Sequence, residues 1–188
     1  MDKCLLVCYN LAIDYESIGE DMPFSLLPTV MTRELTDLTP EYLRSRNITL
    51  LMMDFDNTIV PYTTNVPTDR MAAWLAQMAA SHIQLCVVSN SKSGRVQTFC
   101  GKYGIPVIIR AKKPGTRGIE ECLARFGVDR KNAAMVGDQI FTDTLGGNRA
   151  GVTTILVRAI DNHNIWLKLR HVAELPFIFA AGKRRINK

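Results

Sequence analysis

The chain has 188 residues, 47% of them apolar and 22% charged, with a formal net charge of +5 at pH 7. That length suits one domain with a sizeable core, and no apolar run reaches the roughly 18–20 residues that a membrane-crossing helix needs. The net positive charge lies entirely in residues 158–188, which hold seven Lys or Arg against Asp161 and Glu174, so residues 1–157 are balanced.

The N-terminal stretch 4-CLLVCYNLAIDYE-16 is apolar at first but meets Asp14 and Glu16 without a cleavage-site pattern. It reads as part of the folded chain rather than as a signal peptide. The five cysteines (Cys4, Cys8, Cys86, Cys100, Cys122) are odd in number and contain no C-x-x-C pair. That argues for reduced thiols and against a disulfide framework or a zinc site. In 39-TPEYLRSR-46, Thr39 as cap and Pro40 in the first position predict a short helix.

From residue 49 onward two signals alternate. Short, nearly continuous apolar runs at Leu50–Met53, Ile83–Val88, Ile105–Ile109, Ala133–Val136 and Val152–Val157 predict strands buried on both faces. Between them, Met71, Trp74, Leu75 and Met78 fall at i, i+3, i+4, i+7, as do Val96, Phe99, Cys100 and Tyr103, and then Ile119, Cys122, Leu123 and Phe126. Thr68 is placed to cap the first of these helices, and Gly104 and Gly127 to end the other two. The expectation is an α/β, three-layer, Rossmann-like fold with a central parallel sheet of about five strands. The chain divides into an N-terminal extension with a short helix (1–48), a core (49–157) and a basic C-terminal segment (158–188).

In such a sheet the working groups gather at the carboxyl ends of the strands. The first strand runs directly into carboxylates, 50-LLMMDFDNTIV-60, giving Asp54, Asp56 and Thr58. Ser89 and Asn90 follow the second, Lys112, Lys113 and Pro114 the third, and 137-GDQIFTD-143 the fourth. Carboxylates, a hydroxyl and a lysine on one rim suit phosphoryl transfer. Asp54 is the candidate nucleophile, forming an aspartyl-phosphate. Asp56 is the candidate acid/base, protonating the leaving oxygen and then deprotonating water. Ser89 is placed to donate to a phosphoryl oxygen and Lys113 to neutralise developing charge. Thr58 and Asn90 are expected to bind substrate. A carboxylate nucleophile meeting a phosphate calls for a divalent cation, and Mg²⁺ favours oxygen ligands such as Asp54 and Asp138, with Asp143 contributing through water.

D-F-D-N-T at 54–58, V-S-N at 88–90, K-P at 113–114 and G-D-Q-x-x-T-D at 137–143 resemble, in order, the four signature motifs of the haloacid dehalogenase (HAD) phosphatase superfamily. The segments 26-LLPTVMTRELTDLTPEYLRSRNI-48, 110-RAKKPGTRGI-119 and 137-GDQIFTDTLGGNRAGVTTILV-157 are similar to the YqeG-type branch of class IIIA, which includes organellar phosphatidylglycerophosphate phosphatases. The resemblance implies a HAD-like fold, a Mg²⁺ cofactor and removal of the terminal phosphate of phosphatidylglycerophosphate. It also implies that Asp56 offers its backbone carbonyl to the metal.

Only 34 residues separate Asp54 from Ser89 and 23 separate Ser89 from Lys113. The predicted helices and strands fill both intervals, so no cap domain is expected, and the open site suits a large phosphorylated partner. In 164-NIWLKLRHVAEL-175, Ile165, Trp166, Leu169, Val172 and Ala173 share one helical face, and a basic cluster follows at Lys183, Arg184, Arg185 and Lys188. Basic amphipathic segments favour anionic bilayers; the same segment also reads as a helix packed on the sheet edge. The expectations are a cytoplasmic enzyme, peripheral on the inner face of the membrane, with an anionic phospholipid as substrate. No nucleic-acid partner is expected, and an oligomer is compatible with the sequence. Two other readings stay open: a phosphatase of phosphoproteins or small phosphate monoesters, and a HAD-fold binding or scaffold protein.

Overall fold

Along the strand Leu50–Met53 (β2) alternate side chains enter opposite layers, and all four residues are buried. Leu51 and Met53 join one core cluster, Leu50 and Met52 the other. The computed structural model of the protein describes residues 25–161, 175–182 and 186. Its other elements are β1 (Val30–Met31), α1 (Pro40–Ser45), α2 (Asp69–Ala79), β3 (Gln84–Val88), α3 (Gly94–Tyr103), β4 (Val107–Ile108), α4 (Arg117–Phe126), β5 (Ala133–Gly137), α5 (Leu145–Ala150) and β6 (Thr153–Leu156). The strands form one parallel sheet in the order β1-β6-β5-β2-β3-β4. One face is covered by α1, α2 and α3 through Leu43, Trp74, Leu75, Met78, Val96 and Phe99. The other is covered by α4 through Ile119, Cys122 and Leu123, with Ala150 of α5. This is the three-layer arrangement that the alternating runs predict.

The caps act as the sequence suggests. Thr39 Oγ1 accepts from Tyr42 N with Pro40 opening α1, and Thr68 Oγ1 accepts from Met71 N. Gly104 (φ 64°) and Gly127 (φ 62°) end α3 and α4 in the left-handed region where glycine meets no penalty. Trp74 Nε1 donates to Leu38 O at 2.7 Å and so ties α2 to the segment before α1.

There are six strands rather than about five. The additional one, β1, pairs Val30 with Ile155 and Met31 with Leu156, inside the segment read as an N-terminal extension. Two residues carry no periodicity, so nothing in the sequence marks this strand. The short helix α5, six residues long, contains Gly146 and Gly147 and is not among the helices that the apolar spacing predicts. Gly147 is there for space: a Cβ on it would lie 2.5 Å from Thr154 Cγ2.

Residues 175–180 are helical, and Phe177, Ile178 and Ala181 pack with Met31, Ile140 and Leu156. Ile186 N donates to Met31 O at 2.9 Å. The N-terminal stretch 4–16, the amphipathic segment 164–175 except its last residue, and Lys183, Arg184, Arg185 and Lys188 lie outside the described residues. Among the described residues no helix is long and apolar enough to cross a membrane, and Cys86, Cys100 and Cys122 are buried free thiols. The connections from β2 to β3 and from β3 to β4 carry α2 and α3, with no separate cap domain. The chain leaves β2 toward β3 and leaves β5, on the other side of β2, toward β6. Such a reversal opens a crevice at the carboxyl ends of the two central strands.

Candidate active site

Asp54 leaves β2 with its N–H donated to Val136 O of β5 at 2.9 Å, which sets its carboxylate at the mouth of that crevice. Phe55 turns the other way into the core, edge-on to Phe99 with ring centroids 5.2 Å apart. The alternation returns Asp56 to the side of Asp54. The chain then turns through Asn57 (φ 62°), a residue type that tolerates the left-handed region, and Asn57 Nδ2 donates to Asp161 O at 2.6 Å.

From the end of β3 come Ser89 and Asn90. Ser89 is buried and its Oγ accepts from Ser91 N at 3.1 Å. Asn90 grips the backbone of Lys113 at both ends: Lys113 N donates to its Oδ1 at 2.7 Å, and its Nδ2 donates to Lys113 O at 2.9 Å. Lys113 is thereby presented to two carboxylates, with Nζ 2.7 Å from Asp54 Oδ1 and 2.7 Å from Asp143 Oδ1. Its neighbour Lys112 is exposed.

Asp143 arrives by a compact route. After β5 a single wide helical turn, Ile140–Thr144, folds the chain back so that Asp143 lies against Gly137. A Cβ on Gly137 would be 2.1 Å from Asp143 Oδ2, so only glycine fits there. Gln139 N donates to the same oxygen at 3.2 Å.

The charges are concentrated and dry. Burial pushes the Asp143 carboxyl up to about 6; Lys113 opposes that rise and the charge of Asp54 adds to it. Burial works against the Lys113 ammonium, but Asp143 and Asp54 outweigh it and hold its pKa above the ordinary lysine value. One carboxylate oxygen each from Asp54, Asp138 and Asp143 lie within 4.8 Å of one another. Three carboxylates against one ammonium leave an excess of negative charge, and the donors are all hard oxygens. The set fits a divalent cation.

The cavity in front of these groups is about 140 Å³ and is lined by Asp54, Asp56, Ser89, Asn90 and Lys113, with Tyr62, Ser91, Gln139 and Thr142. Thr58, expected to bind substrate, is 2% exposed and not among the lining residues, and its Oγ1 has no hydrogen-bond partner among the described residues. Two further contributors carry no motif in the sequence. Tyr62 reads as a loop aromatic. Arg95 reads as a polar position at the start of α3, yet its guanidinium forms an ion pair with Asp56 and its Nη1 donates to Pro61 O, Tyr62 O and Thr64 O.

Residues 110–163, which carry Lys113, Asp138 and Asp143, match the HAD-hydrolase-like family model. The fold resembles that of an uncharacterized protein from Listeria monocytogenes serotype 4b, with a TM-score of 0.50 and 19% identity over 69% of this chain and 98% of that one. The chain is 35% identical over 131 residues to the probable phosphatase YqeG of Bacillus subtilis (strain 168), covering 70% of this chain and 76% of that protein. The chain is thus a HAD-like phosphatase, and it belongs to the YqeG branch of that family. It is also 29% identical over 170 residues to the phosphatidylglycerophosphate phosphatase 1 of Arabidopsis thaliana chloroplasts and mitochondria, covering 85% of this chain and 45% of that protein. The chloroplast phosphatidylglycerophosphate phosphatase 1 of Chlamydomonas reinhardtii is 29% identical over 165 residues, covering 78% of this chain and 61% of that protein. The chain therefore spans about half to three fifths of the length of these two relatives.

Proposed function

We propose that this phosphatase removes the terminal phosphate of phosphatidylglycerophosphate, giving phosphatidylglycerol, through an aspartyl-phosphate on Asp54. The observation that carries this reading is Lys113 Nζ held 2.7 Å from both Asp54 and Asp143 at the mouth of an open cavity of about 140 Å³. Pockets that enclose a drug-sized molecule run to about 300–1,000 Å³. This one takes a phosphate group and leaves the rest of the substrate outside, as a headgroup protruding from a bilayer requires. The names of the plant and algal relatives favour the same substrate.

In the first step an Asp54 carboxylate oxygen bonds to phosphorus while the bond from phosphorus to the glycerol oxygen breaks. Asp56 gives its proton to that leaving oxygen. In the second, water attacks the phosphorus and surrenders a proton to Asp56, and the bond to Asp54 breaks, releasing inorganic phosphate and restoring both carboxyl groups. Lys113 and Ser89 face the phosphoryl oxygens, and charge developing there is offset by an ammonium already desolvated and oriented. Asp54, Asp138 and the Asp56 backbone carbonyl, with Asp143 beside them, would hold Mg²⁺, which supplies positive charge against the repulsion between phosphate and nucleophile. Asn90 holds Lys113 by its backbone. The site would work at the cytoplasmic face of the membrane, with the basic C-terminal segment in contact with anionic lipid.

The test compares phosphate release with Mg²⁺ by wild type and Asp54→Asn on phosphatidylglycerophosphate in mixed micelles, a phosphopeptide and a panel of sugar phosphates. Asp54-dependent preference for the lipid is the expected result. Preference for small monoesters or the phosphopeptide would keep the chemistry and discard the lipid. Turnover by Asp54→Asn near that of wild type would overturn the nucleophile.

A further inference from the structure

Arg95 occupies a position that its local sequence does not favour. It is the second residue of α3, where the helix dipole disfavours a cation, and no acidic residue in that first turn offsets it. Tertiary contacts hold it there instead. Ser93 Oγ accepts from Arg95 N at 3.1 Å and fixes the start of the helix. The guanidinium lies 5.1 Å over the ring of Phe55, the residue between the two aspartates. Nη1 is shared among three carbonyls, Tyr62 O at 2.9 Å, Thr64 O at 3.1 Å and Pro61 O at 3.3 Å. Nη2 forms the ion pair with Asp56 Oδ1, and the two side chains are only 19% and 18% exposed. Arg95 itself is not among the residues lining the cavity, whereas Asp56 and Tyr62 are.

We propose that Arg95 is a positioning residue for Asp56: by holding Oδ1 from behind it leaves Oδ2 to face the leaving oxygen, and by holding the 61–64 backbone it fixes the wall on which that oxygen departs. The proposal rests on the reading of Asp56 as acid/base. A planar, five-donor guanidinium is the one side chain that can engage a carboxylate and a row of carbonyls at once. A lysine has the charge but not the fork. The clamp also restricts a carboxylate that would otherwise rotate about two bonds at the edge of an open site. Such restriction matters because small misplacements of a reacting group cost large factors in rate.

The proton from Asp56 is needed most when the leaving group is a poor one. Arg95→Met, Arg95→Lys and Asp56→Asn are therefore compared with wild type by kcat/KM on two substrates that wild type turns over, an alkyl phosphate and p-nitrophenyl phosphate. The aryl leaving group departs without a proton. Since general acid catalysis contributes about 10²–10⁴-fold, Arg95→Met is expected to lose about 10²-fold on the alkyl ester and less than about 10-fold on the aryl ester. Its KM should stay near that of wild type. Arg95→Lys, which retains the cation and guards against a misfolded methionine variant, should recover part of the alkyl loss. Equal losses on both esters, no loss, or a loss confined to KM would overturn the positioning role while Asp56→Asn remained leaving-group-selective. Should Asp56→Asn itself lose both activities equally, the acid/base assignment falls, and this inference with it.

Discussion

Lys113 carries the electrostatics of the site, and its side chain is 1% exposed between two carboxylates. Removing one member of a buried ion pair leaves charge without compensation, at a cost of about 3–5 kcal/mol. Lys113→Met is expected to lose stability of that order in urea titrations of the metal-free protein. A loss below about 1 kcal/mol would mean that Asp54 and Asp143 are relieved by some other route. Asn90 makes a sharper case, because the sequence suggests a substrate contact and the structure gives its amide to the Lys113 backbone. Asn90→Ala removes two part-buried hydrogen bonds, worth about 0.5–1.5 kcal/mol each. If the clamp is its role, kcat falls and KM holds; a rise in KM alone would restore the substrate contact. Lys113 could be found because it stands before Pro114 at a strand–helix junction, next to three other strand ends bearing matching groups. Arg95 could not: its partners, Asp56 and the carbonyls of 61–64, are more than 30 residues away in sequence, and a polar residue in the first turn of a helix looks like any solvated one.

Among the elements, the apolar runs of four to six residues were legible because a strand buried on both faces has few polar positions to interrupt it. Leu50–Met53 is read at its observed bounds. The third run, Ile105–Ile109, shrinks to Val107–Ile108, where β4 closes the edge of the sheet. The turn Ile140–Thr144 could not be read at all, since five residues of wide helix have no periodic signature, yet it brings Asp143 to the site. Its geometry depends on Gly137. The φ at that position is not in the left-handed region, so the requirement is one of space: alanine would put a methyl 2.1 Å from Asp143 Oδ2. Overpacking of this kind costs about 1–3 kcal/mol where the surroundings can shift. What must shift here is the carboxylate. Gly137→Ala is therefore expected to weaken Mg²⁺ binding as well as stability, measured as the rise in melting temperature on adding Mg²⁺. A variant that melts lower than wild type but keeps the full Mg²⁺ increment would show that Asp143 takes no part in holding the ion.

At the scale of the whole molecule the question is how an open site would meet the bilayer-embedded substrate proposed for it. Only part of the C-terminal segment answers from the structure. Phe177, Ile178 and Ala181 are packed against Met31, Ile140 and Leu156, so the 175–182 stretch belongs to the fold and covers the β1–β6 end of the sheet. The strand that this stretch covers, β1, has only two residues and so leaves no periodic signal in the sequence. Phe179, 79% exposed, points away from that cluster. Deleting the segment would uncover the core, and lost vesicle binding would then say nothing about charge. The informative change leaves the apolar residues in place and replaces Lys183, Arg184, Arg185 and Lys188 with glutamine. Basic residues near an anionic surface contribute about 1 kcal/mol each, and their effect is screened within about 10 Å at 0.1 M salt. The expected outcome is weaker binding to vesicles containing phosphatidylglycerol, a difference that shrinks as salt is raised, and an unchanged melting temperature. Hydrolysis of a soluble phosphate monoester should not change, because the substitutions leave Asp54, Asp56, Ser89 and Lys113, which line the cavity, in place. Vesicle binding that survives the substitution at low salt would remove the basic segment from the account of how the enzyme reaches lipid and leave the chemistry at Asp54 as it stands.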